Sequence, residues 1–162
     1  MSAFSLAYSR ALPIVKSDNA NIPYPAVNQT GANTALVATN VLYDSSAAFV
    51  NNGVNTGDIV YNVTDGLMAT VVSVAGNFSL TMNADIFTAT SKNYIIYVAS
   101  PQSTIGNYGC YLYIGVAGNV SVDTIGNDLN VTFLNVPAGT ILPVQVKRLR
   151  AATSATNIIA LW

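Results

Sequence analysis

The chain has 162 residues, 51% of them apolar, with six basic and seven acidic side chains, a formal net charge of −1, no histidine and one cysteine. Glutamate is also missing, so acid–base catalysis and metal binding, which draw on His, Glu, Cys or clustered carboxylates, have only scattered aspartates to use. A near-neutral balance offers no concentrated basic face for nucleic acid, the length fits one domain or two small ones, and no apolar run reaches the ~18–20 residues of a membrane span.

At the start of the chain, Met1 to Arg10 has no basic region ahead of an apolar stretch, so no secretory leader is expected. Pro13, Pro23 and Pro25 bracket a segment too interrupted for a central strand, which reads as an edge strand or extended arm. Asn28 to Thr34 reads as a polar linker. Asp44-Ser45-Ser46 can cap one short helical turn through Phe49, which Gly53 and Gly57 then break.

From Ile59 to Val98 the pattern is that of a small antiparallel β unit. Ile59–Val63, Met68–Val74, Phe78–Met82 and Asn93–Val98 are rich in β-branched and aromatic residues, and Asp65-Gly66 and Gly76-Asn77 stand where hairpin turns are needed. A second polar patch, Ala99 to Asn107, follows. Beyond it, Cys110 to Trp162 alternates cleanly. Val120 and Val122 oppose Ser121 and Asp123; Leu129, Val131 and Phe133 oppose Asn130 and Thr132; Val144 and Val146 oppose Gln145 and Lys147. One buried face per strand is expected. Gly126-Asn127-Asp128 and Pro137-Ala138-Gly139 supply turns, and Asn157–Trp162 reads as the last strand.

Because the two polar patches flank the first β region symmetrically, that region reads as an insertion. The expected fold is all-β: two small antiparallel barrel or sandwich domains, one discontinuous (residues 1–31, with the N-terminal arm, and 100–162), the other (residues 32–99) inserted into it. A domain of about 70 residues rarely gains more than ~3–5 kcal/mol from its own core. A lone Cys110, which fits folding in a reducing cytoplasm, provides no internal disulfide, and no metal motif is evident. Assembly with other copies or with a scaffold would supply the difference.

Several possible sites can be weighed from the residues. Asp123 and Asp128 flank an oxygen-rich turn of a kind that can hold calcium, but the spacing matches no EF-hand loop and Asp and Asn are ordinary hairpin residues. Asp58 and Asp65 each adjoin a turn glycine. Cys110 has no histidine to activate it and reads as a small apolar side chain, and no glycine-rich phosphate loop leads into a helix. No catalytic residue, metal or cofactor is expected, and the chain does not read as an enzyme. Lys147, Arg148 and Arg150 concentrate half of the positive charge; they read either as a contact for an acidic partner or as a solvated strand edge. Tyr108, Tyr111 and Tyr113 lie close together, the last two on one strand face, as a glycan platform or as packing. Five N-x-S/T triplets, at Asn28, Asn62, Asn77, Asn119 and Asn130, read as by-products of strands rich in Asn and Thr.

The segment Gly109–Trp162, above all "NVPAGTILPVQVKR" and the closing "IIALW", resembles a small β-barrel module of tailed-bacteriophage structural proteins. The opening "PIVKSDNANIPYP" is similar to the arm of that module, and "DSSAAFVNNGVNTGDIVYNVTDGLMATVVSV" looks like a second barrel that virion proteins carry as an insert. One glycine stands at Gly126 where a pair is common, and "RAATSATN" lacks the glycine usual after the arginine; both departures fall in turns. The resemblance implies a virion protein of the capsid decoration or head-fibre type, made in the host bacterial cytoplasm. Its expected place is the outer surface of the head, bound to the major capsid protein and self-associating as a homotrimer, with no nucleic acid or membrane partner. Lys147, Arg148, Arg150, Pro23, Tyr24 and Trp162 are then the candidate capsid or subunit contacts. The alternative is a tail or head-fibre adhesin that holds a host glycan on Tyr111 and Tyr113.

Overall fold

A computed structural model describes residues 8–99 and 109–162. Among these residues the fold is all-β, with no helix, and therefore no helix long and apolar enough to cross a membrane. Twelve strands are assigned: β1 (Ala11–Pro13), β2 (Val27–Ala32), β3 (Val41–Tyr43), β4 (Ile59–Asn62), β5 (Leu67–Val74), β6 (Ser79–Met82), β7 (Asn93–Tyr97), β8 (Tyr111–Val116), β9 (Gly118–Thr124), β10 (Val131–Val136), β11 (Val146–Leu149) and β12 (Thr156–Leu161). They form three antiparallel sheets, ordered β2-β7-β4-β5-β6-β3, β1-β12-β8 and β10-β9-β11.

The six-stranded sheet curls back on itself. Just past β2, the Thr34 N–H donates to the Tyr43 carbonyl at 2.9 Å and Ala35 bridges Tyr43, so the last strand meets the end of the first. Its interior holds Leu42, Phe49, Val60, Val71, Leu80, Met82, Phe87, Tyr94 and Ile96, all buried. The two smaller sheets are linked through the segment after β10: Cys110 exchanges two backbone hydrogen bonds with Val146, at 3.0 and 2.9 Å, and Leu142 N–H donates to the Leu112 carbonyl. A separate apolar cluster fills them, built from Ile22 and from Leu112, Ile114, Val120, Val122, Val146, Ile158 and their neighbours. A third, smaller cluster sets Val15 and Ala20 of the N-terminal segment against Ile59, Tyr61 and Met68 of the six-stranded sheet.

The alternation of β-branched and polar residues predicts β4 to β7 to within a residue or two at each end. Gly66 makes the turn between β4 and β5 at φ 70°, where an L side chain would be strained. Four expectations need correction. The stretch Asn28–Thr34 is no linker, since most of it is β2, paired with β7 from Val27↔Tyr97 to Ala32↔Asn93. Its polar side chains are absorbed by specific partners, Asn28 Nδ2 donating to Asp58 Oδ2 at 2.8 Å and Asn52 Nδ2 to Gln29 Oε1. The helical turn after Asp44 is a set of tight turns instead, although Asp44 does cap it, its Oδ1 accepting from the Ser46 N–H at 2.8 Å. β9 is buried on both faces, because Ser121 and Asp123 lie as deep as Val120 and Val122. The last strand ends at Leu161, one residue before Trp162. The second polar patch, beyond Ala99, lies outside the described residues, as does Tyr108.

A buried polar pair anchors the six-stranded sheet. The Tyr94 hydroxyl donates to Asp44 Oδ2 at 2.7 Å, and burial together with that carboxylate pushes the phenol pKa well above its ordinary value. Gly31 sits against this pair: a Cβ there would lie 2.5 Å from Asp44 Oδ2 and 2.6 Å from the Tyr94 hydroxyl. Gly31→Ala should therefore destabilise the protein by about 1–3 kcal/mol through overpacking, read as a lower urea midpoint at unchanged slope. Gly76→Ala, which meets nothing within 4 Å and has no positive φ, should have little effect.

Candidate interaction surface

Asp123 enters β9 from a register that sets it opposite Arg148 of β11, with its side chain 2% exposed. A buried carboxylate must be paired. Arg150, just past β11, supplies a two-pronged contact: Nε donates to Asp123 Oδ1 at 2.8 Å and Nη2 lies 2.8 Å from Oδ2. The Asn130 N–H donates to Oδ1 at 2.9 Å, and Arg148 Nε stands 3.9 Å from Oδ2. Burial alone would raise the Asp123 pKa; the hydrogen bonds from Arg150 and Asn130 and the nearby arginine charges outweigh it and hold the carboxyl below its usual range.

Both arginines also reach the N-terminal segment. Arg148 donates from Nε to Asn21 Oδ1 at 3.1 Å and from Nη1 to the Asp18 carbonyl at 3.2 Å; Arg150 Nη1 lies 3.4 Å from Asp18 Oδ1. Along the same edge, Ser17 and Ile22 donate their N–H groups to the Leu149 and Lys147 carbonyls. Lys147 donates to Asn127 Oδ1 at 2.6 Å. The basic run is thus committed to partners within the chain, and Asp123 and Asp128 form no metal cluster, none being found among the described residues. Asp128 is taken up by its turn, its Oδ2 accepting from Thr124 Oγ1 at 2.9 Å.

The aromatic candidates gather on another side of the molecule. In the β1-β12-β8 sheet, cross-strand partners share a face. Ala11, Leu161 and Tyr111 form one row and Pro13, Ile159 and Tyr113 the next, while Leu112, Ile114, Ile158 and Ala160 point into the core. Tyr111 and Tyr113 do share the outward face, as the spacing predicts, and both are half-buried. Tyr8 packs on Tyr111 with ring centroids 5.8 Å apart. Beside this face, Tyr24 meets Trp162 edge-on at 5.8 Å, and the Arg10 guanidinium lies 5.2 Å over the Tyr24 ring. Pro23 is buried and lines a small cavity with Pro13, Tyr61 and Tyr97. The hydroxyl of Tyr8 and Nε1 of Trp162 are buried and have no hydrogen-bond partner among the described residues.

Reasoning from sequence missed the acceptors that engage the basic run, because Asp18 and Asn21 lie some 130 positions away from Arg148 and Arg150. It also missed Tyr8 and Arg10, whose roles depend on the N-terminal segment meeting Trp162: Ser9 and Arg10 both donate backbone N–H groups to the Trp162 carbonyl. Cys110 behaves as the composition suggests; burial pushes its thiol up to about 12, which leaves no thiolate for chemistry near neutral pH. Of the N-x-S/T triplets, Asn62 is wholly buried with its amide donating to Asp65 and to the Ile86 carbonyl, so it is a structural residue. Comparison with protein-family models, curated proteins and solved structures finds no match.

Three outcomes follow from these contacts. Asp123→Asn should cost about 3–5 kcal/mol, the range for breaking a buried ion pair, measured by equilibrium unfolding. The pH dependence has a definite sign: with its folded pKa below the unfolded value, Asp123 binds fewer protons when folded, so its contribution is present above the ordinary carboxylate range. It is lost as the pH falls through the lowered value. Acid unfolding should accordingly begin at higher pH in an Arg150→Gln variant. Trp162→Ala should cost about 3 kcal/mol, while Trp162→Phe, which removes the unpartnered N–H and keeps a ring on Tyr24, should cost less; thermal melts of both variants test the difference.

Proposed function

We propose that this protein is a structural component of a tailed-bacteriophage virion that decorates the outer surface of the head by binding the major capsid protein. The observation that carries this reading is the outward face of the β1-β12-β8 sheet. An antiparallel sheet with one solvated face ordinarily alternates apolar and polar residues. Here Ala11, Pro13, Tyr111, Tyr113, Ile159 and Leu161 line the outward rows, and none is charged. Ile141, 41% exposed, bridges Tyr113 and extends the patch. Such a face favours burial against another protein surface.

In this reading the chain has two β units, one inserted into the other, and the boundary expected after residue 31 moves to before β2, because Val27 to Gly31 pair with β7 of the inserted sheet. The separate apolar clusters support that division, one confined to Leu42–Ile96 and the other drawn from Ile22 and Cys110–Ala160. Self-association as a trimer, placement on the capsid surface and a non-enzymatic role come from the resemblance of Gly109–Trp162 to virion barrel modules. Within this proposal Arg148 and Arg150 serve the shell contact by holding the N-terminal segment in place, and Lys147 is the member of the basic run with the fewest internal partners.

The second reading, a tail or head-fibre adhesin, draws on the shared outward face of Tyr111 and Tyr113. Cryo-electron microscopy of virions distinguishes the two: regular density for this protein over the head supports decoration, and density confined to the tail or fibres supports the adhesin. In a companion assay with undecorated shells, the wild-type protein should bind saturably, and Ile159→Lys should abolish binding while the protein stays folded. Undiminished binding of Ile159→Lys would remove this face from the contact.

A further inference from the structure

The strand β10 is the outermost member of its sheet. On one side Val131, Thr132 and Phe133 stand opposite Val122, Ser121 and Val120 of β9. On the other side no described backbone group bonds to it. The direction of its unpaired groups follows from β9: the Ser121 carbonyl accepts from the Arg150 N–H at 2.8 Å, and the Ser121 N–H donates to Thr153 Oγ1 at 3.0 Å. A residue's N–H and C=O lie on the same side of a strand, and the side alternates from residue to residue. Ser121 and Thr132 are therefore the non-hydrogen-bonded pair of the ladder, and the N–H and C=O of Thr132 point away from β9.

Exposed strand edges are normally blunted by brevity, proline, charge or a covering segment. Several other sheet margins among the described residues have such protection. β1 is three residues long and contains Pro13, β11 is covered by Ser17 and Ile22, and β3 is joined to Thr34. β10 is six residues long, with a bulge between Phe133 and Val136 as the one irregularity of its ladder, and Leu129 through Pro143 contains no charged side chain and no proline before Pro137. Leu134 and Leu129, at 70% and 60% exposure, are the two most exposed large apolar side chains among the described residues. Both belong to this strand or its approach.

We infer that β10 is a self-association edge, on which a second copy of this chain adds its own β10 antiparallel about a two-fold axis at Thr132. An unpaired row of main-chain donors and acceptors is satisfied by an extended strand. A second copy fits because identical uncharged strands oppose no like charges. Direction also selects the register: the outward groups of Thr132 meet those of Thr132 in the other copy, which joins two three-stranded sheets into a continuous six-stranded one. This contact is two-fold and separate from any three-fold contact; it rests on the edge geometry and not on the shell reading.

The test uses the full chain with Thr132→Cys, oxidised under native conditions. Paired Cα atoms in a hydrogen-bonded antiparallel pair lie about 5.5 Å apart, within disulfide reach. The expected result is a disulfide-linked dimer, with none from the wild type, whose Cys110 is buried, and none from Thr88→Cys, which lies exposed in a loop outside β10. Leu134→Lys, at a side chain directed to solvent, should weaken self-association in sedimentation velocity by at least about tenfold with an unchanged circular dichroism spectrum. A wild-type protein that stays monomeric at every concentration would overturn the inference. So would the absence of a Thr132→Cys dimer, or one formed equally well by Thr88→Cys. Shell binding is read separately, so loss of the dimer with retained shell binding would refute the edge contact alone.

Discussion

The pairing of Asp123 with Arg150 is the interaction on which the arrangement of the chain depends. A carboxylate this deeply buried would be prohibitive alone, and the two-pronged guanidinium contact with the Asn130 N–H makes it tolerable. Arg150 is then fixed in direction, and its remaining nitrogen, with Arg148 beside it, faces outward to Asp18 and Asn21. The N-terminal segment is thereby tied along β11, and from there Val15 and Ala20 reach the six-stranded sheet. Asn19 completes the tie, its carbonyl accepting from Thr70 Oγ1 at 3.1 Å and Asn83 Nδ2 at 2.7 Å. One irregular segment thus joins two apolar clusters that otherwise share no residue.

A chain with so few charges has placed several of them inside. Asp44 accepts from Tyr94 and Ser46, and Asp58 accepts from Asn28, Asn55 and Ala99; at the surface, Asp65 is paired with Lys92 at 2.9 Å. With these carboxylates and two arginines engaged, the outer rows of β1-β12-β8 and the edge of β10 carry no charge. Surfaces of this kind associate through apolar burial and main-chain pairing rather than through steering by charge. That is the physical link between the internal lock and the proposed role in assembly.

Where one physical signal dominated, the sequence was readable. β4 to β7 combine β-branched runs with turn residues, and the pairing Tyr111/Tyr113 against Leu112/Ile114 follows from a period of two. Local pattern failed where distant partners decide. β2 looks like a linker because Asn28, Gln29 and Thr30 are polar, yet their partners lie on Asp58, Asn52 and β7. Asp123 looks like a solvent-facing residue of an amphipathic strand, and only the arginines brought beside it by β11 and by the turn after it allow its burial. The openness of the β10 edge depends on strand order, which alternation does not encode.

Saturable uptake of the protein onto undecorated tailed-phage shells, the partner proposed for it, measured across a range of salt concentrations, tests the central claim most directly. Contact through an uncharged apolar surface predicts an affinity that holds or rises with salt. A steep fall in affinity with salt would contradict it, and would return Lys147, Arg148 and Arg150 to the contact surface.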